Sequence, residues 1–265
     1  MKCYWGRRKF LAGWWKPQAN LLILQFNSLL MSVAIVTGGT RGIGKAIVAQ
    51  FLNKGFFVYA SGKNPGSVSA LLDWAQQNGF GNRLDCQLVD MSEKEQILRW
   101  ASTISIISHQ PMVLVNNAGM YLPGSIGSEE DGVFESLIQT NLASAYHATR
   151  SFLPALRQAS KGHIFNICST ASITAYTNGG SYCITKFGML GMSKVLREEL
   201  KGEKVAVTAL LPGATLTDSW NGVDLPASRF MQASDVAQVV WTAWELSPSC
   251  IMEEILLRPL EGDIA

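Results

Sequence analysis

The chain has 265 residues, 48% of them hydrophobic and 16% charged, with 24 glycines; that excludes a disordered protein and allows a core burying about three-quarters of the unfolded surface. Its 22 basic and 20 acidic side chains net to +2, but residues 1–30 carry Lys2, Arg7, Arg8, Lys9 and Lys16 and no acid, a local +5 that leaves −3 on the body. A mildly acidic body argues against a nucleic-acid partner, whose binding domain is as a rule strongly basic.

Residues 1–30 read as a basic, Trp-rich extension outside the core, with Trp5, Trp14 and Trp15 and the apolar Leu21-Leu22-Ile23-Leu24. Gly6-Arg7-Arg8-Lys9-Phe10-Leu11 resembles a twin-arginine export signal. Against that, Gln25 and Asn27 interrupt the apolar stretch, and no small-residue cleavage site precedes the first strand. The plain reading makes Met31 the true start and residues 1–30 an upstream translation artefact or loose tail. A weak interfacial anchor and an export leader are the alternatives. No apolar run reaches the roughly 18 residues that span a bilayer, so firm membrane association is not expected.

From residue 32 strands and helices alternate. Strand 33–36 is a β-branched run that stops at a glycine-rich turn, and helix 42–54 follows with Ile43, Ala46, Ile47 and Phe51 at helical spacing. Strand 56–60, helix 68–77, strand 84–89, helix 93–108 and strand 112–115 continue the alternation. A long helix is expected over 132–159. Strand 163–168, helix 182–200, strand 205–210, helix 234–246 and strand 254–257 complete it. Continuously apolar strands between amphipathic helices mean a parallel sheet covered on both faces. The expectation is an α/β protein in which residues 31–265 form a single Rossmann-like, doubly wound domain, since no linker or repeat divides them.

Five scattered cysteines without CxxC spacing and only three histidines argue against a metal site and fit reduced thiols in a cytoplasmic protein. The turn Thr37-Gly38-Gly39-Thr40-Arg41-Gly42-Ile43-Gly44, between strand and helix, suits a dinucleotide. Glycines let the backbone turn tightly and approach a pyrophosphate, and the helix N-terminus offers N–H groups and a positive dipole to the anion. The second strand ends in Ser61-Gly62-Lys63-Asn64, with no acid to bind the ribose hydroxyls of NAD. Lys63 and Arg41 instead suit a 2′-phosphate, which favours NADP(H).

Together these features resemble the short-chain dehydrogenase/reductase family. TGGTRGIG is that family's glycine loop, Asn116-Asn117-Ala118-Gly119 its NNAG, Tyr182-Cys183-Ile184-Thr185-Lys186 its YxxxK, and Pro212-Gly213 with Thr217 its PGxxxT. The resemblance covers residues 32–260 and none of 1–30. It implies that Asp90 and Met91 lie by the adenine, and that Thr37, Gly38, Thr40, Arg41, Gly42, Ile43, Gly44, Lys63, Asn117, Ala118, Gly119, Pro212, Gly213, Thr215 and Thr217 bind the cofactor together with Tyr182 and Lys186. It makes Tyr182 the proton donor and acceptor in hydride transfer. Ser169, 13 residues earlier, would hold the substrate oxygen, with Thr170 and Ser172 as neighbouring hydroxyls. Asn141 would open its helix and complete a proton relay from Lys186.

The spacing of Tyr182 and Lys186 agrees, since residues four apart share a helix face. An ammonium there stabilises the phenolate; lowering the phenol pKa from about 10 by about three units takes roughly 4 kcal/mol, which the lysine and the cofactor's positive nicotinamide in a partly dry site are expected to supply. The expected function is NADP(H)-dependent interconversion of a small or medium carbonyl compound and its alcohol. A 3-oxoacyl-acyl-carrier-protein reductase is the alternative, sepiapterin-reductase-like enzymes are a further flavour, and a non-catalytic NADP-binding scaffold is the reading from another class. Segments 120–127, 175–180 and 219–231 are expected to select the substrate, the last as an apolar lid of Trp220, Leu225, Phe230 and Met231 or as ordinary loop anchors. Relatives pair through the two long helices, which implies a homodimer or homotetramer.

Overall fold

The computed structural model describes residues 31–264 except 105, 107, 108 and 221. The 1–30 extension, with its export-signal and alternative-start readings, lies outside the described residues.

Val33–Val36 (β1) has hydrogen-bonded parallel neighbours on both sides and packing on both faces, and all four of its side chains are buried. The others are Phe57–Gly62 (β2), Leu84–Leu88 (β3), Met112–Asn116 (β4), Gly162–Ile167 (β5), Val205–Pro212 (β6) and Glu254–Leu257 (β7). They form one seven-stranded sheet in the order β3-β2-β1-β4-β5-β6-β7, every pair parallel. The chain moves outward from β1 to β3 and then returns to place β4 on the other side of β1. That reversal opens a crevice at the carboxyl ends of β1 and β4, where doubly wound sheets bind ligands.

Helices cover both faces, and β1 shows why. Ala34 and Val36 face Ile47 and Phe51 of Gly42–Asn53 (α1), Leu71 of Pro65–Gln77 (α2) and Val240 and Trp241 of the last helix. Val33 and Ile35 face Ile97 and Trp100 of Lys94–Thr103 (α3) and the long helices beyond it. Those are Ser144–Gln158 (α5), which follows Val133–Ile138 (α4) and a π-helical turn Gln139–Ala143, and Gly180–Leu200 (α6); Ala233–Glu245 (α7) closes the first face. Among the described residues, no helix is long and apolar enough to cross a membrane.

Several boundaries differ from the sequence expectation for identifiable reasons. Helix α2 starts at Pro65 rather than 68, because Asn64 Oδ1 accepts the Ser67 N–H (3.1 Å) and the proline's missing N–H is harmless at the first helical position. Helix α3 stops at Thr103, where Ile104 turns extended (φ −83°, ψ 112°), short of the expected 108. The expected helix 132–159 is broken by the π turn, and α6 begins two residues before Tyr182.

One buried polar residue gives this fold a pH dependence. His163 on β5 stacks on Phe165 at 3.9 Å between ring centroids, and its Nε2 lies 2.8 Å from Thr208 Oγ1. Thr208 gives its own hydroxyl proton to the Met252 carbonyl, so His163 is the donor in that pair. Burial, with a smaller contribution from the Lys161 charge, pushes the imidazole down to about 3. An unfolded histidine titrates near 6.5, so as pH falls the unfolded chain takes the proton first. The stability is therefore complete above about pH 6.5 and is lost toward pH 3. At pH 5 the expected loss is about 2 kcal/mol relative to pH 7. Denaturant titrations at the two pH values should show it, and His163→Phe should flatten the difference.

Candidate active site

The crevice is lined first by the β1–α1 turn. Gly38 (φ +62°) and Gly42 (φ +52°) occupy the left-handed region that glycine tolerates. Gly44 is forced by proximity, since a Cβ there would lie 2.3 Å from the Gly38 carbonyl oxygen and 2.5 Å from Asn117 Nδ2. Arg41 is the N-cap of α1 but makes no side-chain cap, and the first turn carries no acid, so the helix N–H groups and dipole face an incoming anion unopposed.

The turn is tied to the end of β4. Thr37 Oγ donates to the Val115 carbonyl (3.3 Å) and accepts the N–H groups of Asn117 and Ala118 (both 3.0 Å). Asn117 Nδ2 returns to the carbonyls of Thr37 and Gly38. The side chains of Thr37 and Asn117 thus hold the cradle together rather than face its opening. Thr217 also reaches the turn, its methyl about where a Gly42 Cβ would make contact, at 3.1 Å. Thr215 is buried, with its hydroxyl on the Gly213 carbonyl (3.0 Å), while Pro212 ends β6.

Farther out, Thr40 packs against Gly62, which leaves no room there for a side chain. Lys63 is exposed immediately beyond. Arg41 is exposed as well, 3.7 Å from Asp218 across water-accessible space, a contact worth little. Asp90 accepts both the N–H (2.9 Å) and the hydroxyl (2.7 Å) of Ser92. Burial pushes its carboxyl up, but those bonds and the Lys63 charge outweigh it and hold the carboxyl below the usual range. Met91 is buried in the core on the α3 side.

Across the crevice, β5 delivers Ser169 and α6 delivers Tyr182 and Lys186. The Ser169 N–H donates to Ser172 Oγ, and Ser169 Oγ accepts the Ala171 N–H, so a short 3-10 turn fixes the serine. Of the three neighbouring hydroxyls, Thr170 and Ser172 are buried, the first on the Tyr176 phenol. Ser169 is the one whose side chain favours the Tyr182 phenolate. Lys186 is buried, donates to the Ile167 carbonyl (2.9 Å), and lies 5.8 Å from the centre of the Tyr182 ring.

Within the protein alone, burial dominates the electrostatics of this pair. Burial pushes the Tyr182 phenol above its usual value, and hydrogen bonding from Ser169 offsets this only in part. Burial likewise pushes the Lys186 ammonium down, with the Cys168 thiol opposing it. A desolvated ammonium bound to a carbonyl does not by itself lower the phenol pKa, so the expected lowering rests on the cofactor's positive charge as well. Cys168 and Cys183 are both buried, as small side chains, and burial raises the Cys168 thiol.

Asn141 is fully buried in the π turn that splits the long helix. Its Oδ1 accepts the Met120 N–H (2.8 Å) and its Nδ2 donates to the Met120 carbonyl (2.9 Å) and to Thr185 Oγ (3.2 Å). Single π turns cluster at functional sites. Gly119 packs directly on it, 3.3 Å from its would-be Cβ to Asn141 Oδ1.

Thr185 escaped sequence reading; its hydroxyl donates to the Tyr182 carbonyl (2.7 Å), and a threonine inside a helix carries no distinctive signal. Tyr121, within the expected 120–127 segment, packs edge-on against Tyr182 at 4.9 Å and 86°. In the 219–231 segment, Phe230 is buried against Trp220 at 5.0 Å and is an anchor, not part of a free lid. Leu225 is exposed.

The model of the short chain dehydrogenase family matches residues 32–226, most of the chain. The protein belongs to that family. This short-chain dehydrogenase is 30% identical over 218 residues to a 3-oxoacyl-acyl-carrier-protein reductase of Haemophilus influenzae, covering 78% of this chain and 88% of that protein. It is 31% identical over 252 residues to an NADP-dependent 3-hydroxy acid dehydrogenase of Salmonella typhi, covering 88% and 97%. Among solved structures, the closed form of a serine dehydrogenase complexed with NADP+ superposes with a TM-score of 0.77 at 27% identity, covering 88% of this chain and 97% of that one. The chain is therefore a dehydrogenase/reductase by family, built on the Rossmann-like sheet that its strands describe.

Proposed function

We propose that this short-chain dehydrogenase interconverts a small or medium carbonyl compound and its alcohol with NADP(H), with Tyr182 as the proton donor and acceptor. The observation that carries the reading is the convergence of Ser169, Tyr182 and Lys186 beside a glycine cradle whose helix N-terminus is uncapped. A cradle with no room for a Cβ at Gly44, exposed cations at Arg41 and Lys63, and no acid after β2 fit a phosphate-bearing dinucleotide. The NADP named for two of the similar proteins points the same way.

Bound there, NADPH supplies the hydride. Gly38, Thr40, Gly42, Ile43 and Gly44 would form the wall along its phosphates, with Thr37 holding that turn to the end of β4. Lys63 and Arg41 would take its 2′-phosphate and Asp90 and the segment at Met91 its adenine side, while Ala118, Gly119, Pro212, Gly213, Thr215 and Thr217, with the backbone at Asn117, would line its nicotinamide half. Ser169 Oγ orients the carbonyl oxygen, and the Tyr182 phenol gives it a proton. A donor held in place where charge develops stabilises the transition state more than it does the ground state. Lys186 would hold the ribose hydroxyls, and the Asn141 amide ties the relay to the segment after β4.

Following absorbance at 340 nm with NADPH and a panel of ketones, diketones, 3-oxo acids and acetoacetyl thioesters tests this. Turnover of free compounds supports the reading. Activity confined to acyl-carrier-protein thioesters would replace it with the reductase of fatty-acid synthesis. Tight NADPH binding without any turnover would leave a scaffold protein. In the same assay, Lys63→Ala should raise KM for NADPH about tenfold while leaving NADH unchanged, the loss expected for one charge-assisted contact. A cytoplasmic setting and a homodimer or homotetramer through the α5 and α6 faces belong to the same proposal. Exposed Tyr146, Ile184, Phe187 and Val195 on those helices support the pairing.

A further inference from the structure

The start of α6 is held by a carboxylate from another segment. The helix N-cap is Gly179, which has no side chain to satisfy the first-turn N–H groups. Glu129, in the segment after β4, takes that place. Its Oε1 accepts the Ser181 N–H at 2.9 Å, and its Oε2 accepts the Ser181 hydroxyl in a short hydrogen bond. Ser181 is buried and directly precedes Tyr182.

The surroundings are shaped around this carboxylate. A Cβ at Gly180 would lie 2.2 Å from Glu129 Oε1, and one at Gly124 would lie 2.6 Å from Glu129 Cγ. Two glycines from different segments thus leave the space that the glutamate fills. The same two segments are joined by a parallel bridge between Gly124 and Gly179, by the Gly124 N–H on the Asn178 carbonyl (3.0 Å), and by Ser125 Oγ on the Thr177 carbonyl (3.2 Å). A negative charge at the first turn of a 21-residue helix also meets the positive end of its dipole. From the other end of the segment, Tyr121 packs edge-on against the Tyr182 ring.

We propose that Glu129 is a positioning residue for Tyr182: its two hydrogen bonds to Ser181 clamp the first turn of α6 to the substrate-side segment and so fix where the phenol meets the carbonyl oxygen. The inference rests on Tyr182 being the proton donor. Misplacing a reacting group by about 1 Å can cost on the order of a hundredfold in rate. Glu129→Ala should therefore lower kcat about 10- to 100-fold with the best-reduced carbonyl of the panel, while the NADPH Kd from fluorescence titration stays unchanged. Glu129→Gln, whose Oε1 still accepts the Ser181 N–H, should recover most of the rate. Glu130→Ala, at the exposed neighbour, should change nothing.

Hydrogen exchange of the 179–183 amides gives a readout independent of turnover. Faster exchange in Glu129→Ala together with the kcat loss and the glutamine rescue supports the proposal. Unchanged exchange would remove the clamp, and faster exchange with unchanged kcat would leave it structural only; either overturns the proposal. If Tyr182→Phe kept its activity, the proton-donor reading itself would fall, an outcome distinct from both.

Discussion

Tyr182→Phe should cut kcat for carbonyl reduction by roughly 10²- to 10⁴-fold, the contribution of a placed general acid, while NADPH binding stays nearly intact. The substitution removes one oxygen from a ring that is otherwise held by packing. Tyr121 still meets the ring at 4.9 Å, and the helix around it keeps Thr185 on the residue-182 carbonyl and Lys186 on the Ile167 carbonyl. The change therefore tests proton delivery rather than folding. Stopped-flow or steady-state absorbance at 340 nm measures the rate, and fluorescence titration measures the cofactor affinity. Retained turnover would sink the role of Tyr182, and lost cofactor affinity would show that the ring serves binding instead.

The direction of its pKa sharpens this expectation. Burial raises the phenol, so within the protein alone Tyr182 stays protonated through neutral pH. That is the form that donates, which suits reduction. Oxidation of the alcohol needs phenolate and should therefore demand more alkaline conditions. The positive charge of an oxidised nicotinamide nearby would favour the phenolate, so the acid–base balance at this residue depends on which form of the cofactor is bound.

How far the site could be read in advance followed from what each residue does for the chain. The glycine turn was legible because a tight approach to phosphate leaves glycine as the only residue that fits, and Gly44 meets two groups within 2.5 Å. Tyr182 and Lys186 were legible through their match to the family's YxxxK motif, with which four-residue spacing on a helix agrees. The parallel sheet followed from runs such as Val33-Ala34-Ile35-Val36, which bury both faces. Glu129 was not legible. Within Glu129-Glu130-Asp131 it reads as one of three solvated acids, and nothing local distinguishes the one that caps a helix 52 residues away. Nor does spacing give the extent to which burial desolvates Tyr182 and Lys186. The roles of Thr37 and Asn117 were also finer than sequence could show, since their side chains tie β1 to β4 instead of facing the crevice.

The second large effect belongs to Gly44→Ala. The added methyl would sit 2.3 Å from the Gly38 carbonyl oxygen and 2.5 Å from Asn117 Nδ2, distances that real Cβ atoms do not show. Neither neighbour can yield cheaply. The Gly38 oxygen belongs to a backbone already in the left-handed region, and Asn117 Nδ2 is engaged by the carbonyls of Thr37 and Gly38. Relief must come from moving α1 away from the turn, which separates the helix N-terminus from the phosphates it would hold. Overpacking of this kind costs about 1–3 kcal/mol of stability. Binding should suffer more than stability, because the first turn of α1 supplies N–H groups whose worth depends on distance and alignment. NADPH affinity should fall at least about tenfold, roughly what one lost charge-assisted bond is worth. Fluorescence titration against a denaturation midpoint separates the two effects. A variant with lowered stability but wild-type NADPH affinity would show that the cofactor does not lie against this turn.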